Sequence, residues 1–163
     1  MLEYAYGHDE VVCAFVANLI PTVRQRGFAP NSRAIGVVDG TTLIAGIVYH
    51  NYDPDAGIIE ISGAALPGQP WLSRETIRRM YQYPFHQCGC QMIVQRNAAD
   101  DERLLSMLAR YGYHFIKIPR MLGRHRDGVL CCLTYEAWAD NRFNRKWKHH
   151  IEDLPNPIAE AAE

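Results

Sequence analysis

The sequence lacks the features that define several broad classes of protein. It contains no apolar run approaching the roughly 18 residues that a membrane-spanning helix needs. Its 17 basic and 18 acidic side chains leave a formal net charge of −1, so no global field draws the chain towards nucleic acid. It also shows no internal repeats. We therefore expect a soluble protein with no membrane partner, in which any attraction to DNA is local.

The cysteines do not form the pattern of a disulfide framework or a metal centre. There are five, an odd number, and no signal peptide precedes them, so we expect reduced thiols in a cytoplasmic protein. Cys88 and Cys90, with His86 nearby, form one Cys-x-Cys without a second pair at zinc-site spacing. Cys131 and Cys132 point to opposite faces of a predicted strand. These patterns favour structural burial, and we predict no metal site.

The composition that is present is that of a globular domain. The chain has 163 residues, of which 48% are hydrophobic and 21% charged, enough for one domain with a core and too few to expect two. After Trp138 the pattern changes to basic residues with interleaved aromatics, and then to Pro, Ala and Glu. We predict a single domain over 1–138, and a basic C-terminal helix with a loosely ordered tail over 139–163.

The first half of the chain predicts a helix followed by three antiparallel strands. Apolar residues at three- and four-residue spacing indicate a helix over 9–20, with Asp9 as its cap. A loop or a broken second helix follows over Arg24–Arg33. Asp39-Gly40 is a strong signal for a two-residue hairpin turn, and a second turn is predicted over 53–57. The predicted strands are Ala34–Val38, Thr42–Tyr49 and Ile58–Ala65.

The second half predicts helix, strand, helix and a final antiparallel pair. Ser73 is a good cap for a helix running to Cys88, which Pro84 should kink or end. A short buried strand over Gln91–Gln95 implies a right-handed parallel crossover. Asn97 suits the start of the next helix and Gly112 suits its end. The last two strands are predicted at Tyr113–Met121 and Val129–Tyr135.

The central stretch, from Gly57 to Tyr113, is a strand leading into a polar turn that opens a helix. Such a turn points backbone N–H groups at one place, where the helix dipole also favours an anion such as pyrophosphate. This element order, with Asn97 after a buried strand and the Gly112-Tyr113 ending, resembles the GNAT superfamily of N-acetyltransferases over roughly residues 9 to 138, especially compact phage and prophage versions. The resemblance implies an α/β (α+β) fold: a mixed, mostly antiparallel sheet with a central parallel strand pair and helices on both faces.

The resemblance implies transfer of an acyl group from acetyl-CoA or another acyl-CoA to an amine. The small residues of the family's phosphate-binding pattern are replaced here by Leu72 and Arg74, and Arg74 could contact phosphate directly or be an ordinary first-turn residue. Asn97 could bind the pantetheine arm or simply cap a helix. The residues expected to contact the donor are Ser62, Leu66, Gln69, Leu72, Ser73, Arg74 and Asn97.

Glu60 is the best candidate for the catalytic base, since it stands where the superfamily often places a glutamate. Strand alternation puts Glu60 and Ser62 on one face, although a solvated outward glutamate is the plain alternative. His50 is a second candidate, or a strand-end histidine bonded to the backbone. The tyrosine that commonly protonates the leaving thiolate is replaced by Leu108. Either Ser106 or Tyr111 takes that role, or the thiolate leaves unaided, or the usual reaction does not occur.

Local positive charge suggests a second type of acceptor. Lys and Arg with interleaved aromatics suit a phosphate backbone and stacked bases, but they also suit a solvated terminal helix packed on the domain. The candidate nucleic-acid contacts are Arg124, Arg126, Arg142, Arg145, Lys146 and Lys148. The alternatives are therefore a Mom-type enzyme that modifies adenine in DNA, and a GNAT-fold binding module without catalysis. A homodimer is one assembly that we consider.

Overall fold

The fold is described from a computed structural model for residues 1–147, with side chains for residues 1–144. The strands are β1 (Leu2–Ala5), β2 (Arg33–Asp39), β3 (Thr42–Asp53), β4 (Ile58–Ala65), β5 (Met92–Ala98), β6 (His114–Ile118) and β7 (Gly128–Thr134). The helices are α1 (Asp9–Leu19), α2 (Arg74–Gln82), α3 (Glu102–Tyr111) and α4 (Tyr135–Ala139), with a π-helical turn at Tyr83–Gln87 and a 3-10 helix at Arg142–Trp147.

Within the described residues, seven strands form one sheet in the order β1-β2-β3-β4-β5-β7-β6. The sheet is mostly antiparallel, and β4 and β5 are its one parallel pair. The predicted fold class is therefore confirmed. The chain divides into two compact units: the first contains residues 1–52 and 60–81, and the second contains residues 53–59 and those from 82 onwards.

In the first unit, β1 extends the predicted set of three strands to four. It pairs antiparallel with β2, with Leu2 opposite Asp39 and Ala5 opposite Gly36. The prediction of three strands before the central helix was wrong because β1 has only four residues. So short a strand carries little periodicity of its own, and its pairing with β2 is what defines it.

Helices α1 and α2 cover opposite faces of the sheet in this unit. A Cβ on Gly46 would lie 2.6 Å from Val16 Cγ2 and 2.7 Å from Val12 Cγ1, so β3 and α1 pack more closely than any side chain at residue 46 would allow. Val48 belongs to the same core cluster. Tyr49, the next residue, donates from its hydroxyl to the Met80 carbonyl on α2 at 2.8 Å. Since consecutive strand residues face opposite sides, the predicted helices on both faces are present.

Asp9 does not cap α1, contrary to prediction. The residue before the helix is His8, whose side chain makes no capping bond, and Asp9 lies in the first helical turn. The Asp9 carboxylate instead accepts a 2.7 Å hydrogen bond from the Ala34 N–H and pairs with Arg33 at 3.3 Å. It therefore ties the start of α1 to the start of β2, a tertiary partner that the local sequence does not reveal.

The two turns of this region were predicted in the right places, but one has a different register. Asp39 pairs with Thr42, so the two loop residues of the β2–β3 hairpin are Gly40 and Thr41 rather than Asp39 and Gly40. Gly40 has a φ of 60°, which glycine adopts at no steric cost. In the second turn Asp53 Oδ1 accepts from the Ala56 N–H at 3.0 Å, as expected for an Asx-type turn.

The central helix begins and ends close to prediction. Ser73 Oγ accepts from the Thr76 N–H at 3.0 Å, which confirms Ser73 as the cap of α2. After Gln82 the helix continues as the π-helical turn that contains Pro84. The Cys88 N–H donates to the Tyr83 carbonyl at 3.1 Å, five residues back. Proline has no N–H to donate, and the wider turn accommodates that loss.

The second unit contains a correction at Asn97. This residue lies within β5, opposite Val129 of β7, and does not begin a helix. The cap of α3 is Asp101, whose side chain accepts from the Leu104 N–H at 3.1 Å. Gly112 ends α3 as predicted, in the left-handed conformation with a φ of 103°. The final antiparallel pair is also confirmed, and β7 additionally pairs with β5.

The predicted division at residue 138 stays a prediction. Its C-terminal part begins at the last residue of α4 and continues into the 3-10 helix, and residues 148–163 lie outside the described range. In the part of the chain that the structure does describe, no helix is long and apolar enough to cross a membrane.

Candidate active site

Three side chains predicted to carry chemistry meet where β3 and β4 run side by side in the first unit. His50 Nε2 lies 2.8 Å from Ser62 Oγ, and His50 Nδ1 lies 3.8 Å from Glu60 Oε2. The even-numbered residues of β4 share one face, as the alternation predicted. Sequence reasoning selected His50 and Glu60 separately, and the structure brings them together.

The cluster is largely shielded from solvent. The His50 side chain is 6% exposed and that of Glu60 is 13% exposed, so Glu60 is not the solvated outward residue of the plain alternative. Ser62 is half-buried. Electrostatic interactions are stronger where water is excluded, and an imidazole nitrogen and a carboxylate oxygen can each accept a proton. The pair is therefore suited to accepting a proton.

Two further residues contact this cluster. Asn51 Nδ2 donates to Glu60 Oε2 at 2.8 Å. The backbone at Asn51 is in the left-handed region, with a φ of 50°. The Phe28 ring lies with its centroid 4.9 Å from that of His50. The unusual His50-Asn51-Tyr52 run was the only sequence signal for Asn51, and Phe28 lies in the irregular segment that gave no signal.

The turn between β4 and α2 is held by internal hydrogen bonds. The N–H groups of Leu66, Gln69 and Ser73 donate to the carbonyls of Ile44, Leu66 and Trp71 at 2.8, 3.3 and 3.0 Å. Trp71 packs on β4, where a Cβ on Gly63 would lie 3.3 Å from its Cη2. Three of the residues predicted to contact the donor therefore already use their N–H groups within the protein.

The start of α2 keeps other donors for an anion. Helix geometry leaves the first-turn N–H groups without intrahelical acceptors, and Ser73 takes up only that of Thr76. Arg74 is exposed at the first position of the helix. In residues 1–144, whose side chains are described, no acidic group pairs with it. Leu72 is half-buried directly before the cap. Arg74 and these N–H groups are therefore the candidate contacts for a pyrophosphate at this turn.

The other two predicted site residues lie in the second unit. Asn97 Nδ2 is 3.4 Å from both Gln95 Oε1 and Cys131 Sγ. Ser106 is exposed on α3. Leu108 on the same helix is 4% exposed and belongs to the core. The predicted roles of Asn97 in donor binding and of Ser106 in protonating the thiolate stay predictions.

Those predicted nucleic-acid contacts that the structure describes belong to the second unit. Arg124 is exposed between β6 and β7, whereas Arg126 in the same segment pairs with Asp100 at 3.4 Å. Arg142 lies in the 3-10 helix, with Cζ 5.6 Å from the centre of the Phe143 ring. The side chains of Arg145 and Lys146 and the whole of Lys148 are outside the described range.

Cys90 and Cys131 are buried, whereas Cys13, Cys88 and Cys132 are half-buried. Burial raises the pKa of Cys90 to about 12, and burial is also the main cause that raises the pKa of Cys88 and Cys131. Burial lowers the pKa of His86, whose ring packs against Tyr135 and Trp138. Across the described part of the chain, no group of three His, Cys, Asp or Glu residues is placed to hold a metal ion.

Comparison with known proteins shows that this chain is similar in fold to several solved structures. No protein-family profile matches the chain, and no curated protein matches its sequence. A crystal structure described as a probable acetyltransferase is 22% identical with a TM-score of 0.57, over 67% of this chain and 65% of that one. The chain thus spans less than two thirds of that protein's length.

Two structures of the spermidine N-acetyltransferase SpeG from Vibrio cholerae match over more of their length. Mutant forms described as spermidine/spermine N-acetyltransferase are 15% identical with a TM-score of 0.69, over 85% of this chain and 97% of theirs. A second SpeG mutant is 15% identical with a TM-score of 0.68, over 85% and 96%. The mixed seven-stranded sheet and these similarities together show that the chain has the GNAT fold of N-acetyltransferases.

Proposed function

We propose that this protein is an acyl-CoA-dependent N-acyltransferase that acts on a cationic amine. The observation that carries the proposal is the meeting of His50 on β3 with Glu60 and Ser62 on β4, the strand that leads directly into the turn before α2. The GNAT fold supports acyl transfer as the reaction class, and fold alone would not select it.

Acyl transfer requires few protein groups, chiefly a proton acceptor and contacts for the donor, and the first unit contains candidates for both. An amine that attacks a thioester must lose a proton, for which Glu60 and His50 form a shielded acceptor. An acyl-CoA must be held by its phosphates, for which Arg74 supplies a planar guanidinium at the start of α2. When bound, acyl-CoA supplies the activated acyl group, and this chain supplies orientation and proton transfer.

The class of acceptor is inferred from the negative charge of the Glu60 carboxylate. The Glu60 carboxylate favours an acceptor that approaches as an ammonium ion and becomes a nucleophile after losing its proton. Spermidine is the first acceptor to test, because the structurally similar SpeG is described as a spermidine/spermine N-acetyltransferase.

The experiment is a steady-state assay of thiol release from acetyl-CoA with spermidine, other amines and no amine. We expect amine-dependent thiol release and a product heavier by one acetyl group for each thiol released. Release of no thiol with any amine, from a protein that still unfolds cooperatively, would contradict the proposal. Other acyl-CoA donors should be compared in the same assay, since the site does not define the acyl group.

The adenine amino group of DNA is the second candidate acceptor, as in the Mom-type proteins of the resemblance. Arg124 and Arg142 are exposed and support it, whereas Arg126 is partly neutralised by Asp100. If adenine in DNA is the acceptor, the protein should retain DNA with an affinity that falls steeply as salt rises, and the DNA should contain a modified base. A binding module without catalysis would bind acyl-CoA and release no thiol. A phage or prophage origin, a cytoplasmic location and a homodimer stay expectations from the sequence.

A further inference from the structure

The Tyr4 hydroxyl on β1 contacts the start of α2, which is distant along the chain. Tyr4 Oη lies 2.9 Å from Thr76 Oγ1 and 3.4 Å from Ser73 Oγ. The strand and this part of the helix both belong to the first unit, and Ser73 and Thr76 stand on either side of Arg74, the candidate contact for the donor's phosphates. We propose that Tyr4 is a positioning residue of the donor site. Its hydroxyl fixes the conformation in which the first turn of α2 presents Arg74 and the first-turn N–H groups to the phosphates.

The Trp71 carbonyl sets the direction of the hydroxyl bonds in this network. A threonine hydroxyl has one proton to donate and two lone pairs with which to accept. Thr76 Oγ1 donates its proton to the Trp71 carbonyl at 2.7 Å. Its contacts with Tyr4 Oη and Ser73 Oγ, at 2.9 Å each, are therefore bonds that it accepts. The hydroxyls of Tyr4 and Ser73 both donate to Thr76.

The Ser73 hydroxyl consequently has no proton left for a phosphate oxygen. Its proton is given to Thr76 Oγ1, and its oxygen accepts the Thr76 N–H at 3.0 Å. The inferred role of Ser73 towards the donor is therefore indirect: it holds the cap of α2. The contacts with phosphate are left to Arg74 and the N–H groups of the first turn.

Burial makes the Tyr4 hydroxyl hard to replace by solvent. Thr76 is 0% exposed, so water does not reach its hydroxyl in the folded protein. Removal of the Tyr4 hydroxyl leaves a buried acceptor with one donor fewer. The same Thr76 oxygen holds Ser73 and Trp71, so the loss is transmitted to the turn that leads into Arg74.

The Tyr4 ring is held by contacts that do not involve its hydroxyl. Arg79 Cζ lies 4.6 Å from the centre of the Tyr4 ring, a distance at which a guanidinium is attracted to an aromatic face. Arg79 is itself held by Glu75, with Nε 2.7 Å from Oε1. Tyr4→Phe therefore removes the hydroxyl and leaves the ring in place.

This inference rests on the proposed function for the donor, and it is tested by binding as well as by turnover. Calorimetric titration of Tyr4→Phe with acetyl-CoA should give a dissociation constant about three- to tenfold higher than that of the wild type, the change expected for one hydrogen bond. The kcat at saturating donor should stay within about twofold, because the candidate base Glu60 lies on β4 and not on α2.

Tyr49→Phe is the matched control for this variant. It also removes a tyrosine hydroxyl that is bonded to α2, but near the other end of the helix, where the Met80 carbonyl accepts at 2.8 Å. The dissociation constant of Tyr49→Phe should stay within about twofold of the wild-type value. A general weakening of the attachment of α2 would affect the two variants alike.

Substitutions at Thr76 test the network from its centre. Thr76→Val removes the acceptor of both hydroxyls and should weaken acetyl-CoA binding at least as much as Tyr4→Phe does. Thr76→Ser keeps the hydroxyl and should bind within about twofold of the wild type. The double variant Tyr4→Phe/Thr76→Val should bind no more weakly than Thr76→Val alone, because both substitutions remove the same hydrogen bond.

The outcomes separate this inference from the proposed function. Weaker binding in Tyr4→Phe and Thr76→Val, with Tyr49→Phe and Thr76→Ser close to the wild type, supports the inference. Wild-type affinity in Tyr4→Phe overturns it and leaves the donor site standing. Equal losses in Tyr4→Phe and Tyr49→Phe also overturn it, since the effect would not be specific to the start of α2. A wild-type protein that binds neither acetyl-CoA nor coenzyme A would overturn both the inference and the proposed function.

Discussion

Asn51 Nδ2 donates a 2.8 Å hydrogen bond to Glu60 Oε2 from a backbone position with a φ of 50°. A left-handed residue beside a candidate catalytic carboxylate suggests that the conformation is kept for the contact it makes. Asn51→Gly removes the amide and suits the backbone. We expect at least about tenfold lower turnover, because a hydrogen bond to a charged group contributes roughly 1.5–3 kcal/mol. Steady-state kinetics with acetyl-CoA and an amine would measure it.

The control for Asn51→Gly is Arg120→Gly, at the other described non-glycine residue with positive φ, 61°. Arg120→Gly should leave the free energy of unfolding within about 1 kcal/mol of the wild type, since glycine accepts this conformation, and Asn51→Gly should lose no more than the roughly 1.5–3 kcal/mol of its hydrogen bond. Only Asn51→Gly should slow turnover. Equal activity in the two variants would show that Glu60 does not depend on Asn51.

Glu60→Gln tests the carboxylate without changing its shape. We expect turnover to fall at least tenfold while donor affinity stays within about twofold, since a general base contributes roughly 10² to 10⁴ in rate. Measurement of kcat by thiol release and of Kd by calorimetry separates the two effects. Glu3→Gln, at the exposed position of β1, removes the same charge elsewhere and should change neither. Unchanged turnover in Glu60→Gln would remove Glu60 from the mechanism.

The two strands that carry this cluster could be predicted from the sequence, but their alignment could not. The turn over 53–57 and the alternation of Ile59, Glu60 and Ile61 are local signals, and both appear in the structure as expected. The approach of His50 to Glu60 depends on how β3 pairs with β4, which is set by contacts outside either strand. Their proximity was therefore visible only in three dimensions.

The errors in the sequence interpretation have the same physical cause. Asn97 lies beyond Gln95, where the predicted strand ends, yet β7 pairs with the residues that follow and extends β5 to Ala98. Asp9 is a residue type that often caps helices, but here its carboxylate accepts a hydrogen bond from the Ala34 N–H instead. In both cases a partner distant in sequence overrides a local preference.

Arg74→Ala tests the phosphate contact at the start of α2. If the guanidinium binds the pyrophosphate, acetyl-CoA affinity should fall about 5- to 150-fold, which corresponds to the 1–3 kcal/mol expected for charge-assisted bonds. Calorimetric titration gives the dissociation constant. Arg103→Ala, exposed on α3, removes an equal charge and should have no comparable effect. An unaltered constant in Arg74→Ala would assign the phosphates to backbone N–H groups alone.

Glu75 predicts a pH-dependent contribution to stability. Its carboxylate accepts 2.7 Å hydrogen bonds from Arg78 and Arg79, and the bond from Arg78 is the main cause that lowers the pKa of Glu75. A pKa lower in the folded than in the unfolded state stabilises the protein above the unfolded value, and this stability is lost as pH falls through the folded value. The carboxylate is 37% exposed, so solvent and salt weaken the effect.

Urea unfolding of Glu75→Gln and of the wild type, at pH 7 and in acid, measures this pH-dependent contribution of Glu75 to stability. The variant should be less stable than the wild type at pH 7, and the difference should shrink below pH values of about 4, where carboxylates become protonated. Glu10→Gln provides the control in the first turn of α1. A difference that is independent of pH would mean that the substitution acts through packing and not through charge.

The most direct test of the central claim is calorimetric titration of the purified protein with acetyl-CoA, repeated with free coenzyme A. The proposed function predicts a single site with micromolar affinity for acetyl-CoA, and measurable binding of coenzyme A through the shared phosphates. Binding of neither ligand to a protein that unfolds cooperatively would mean that Leu72 and Arg74 close the turn to the donor. The acyltransferase proposal would then be wrong.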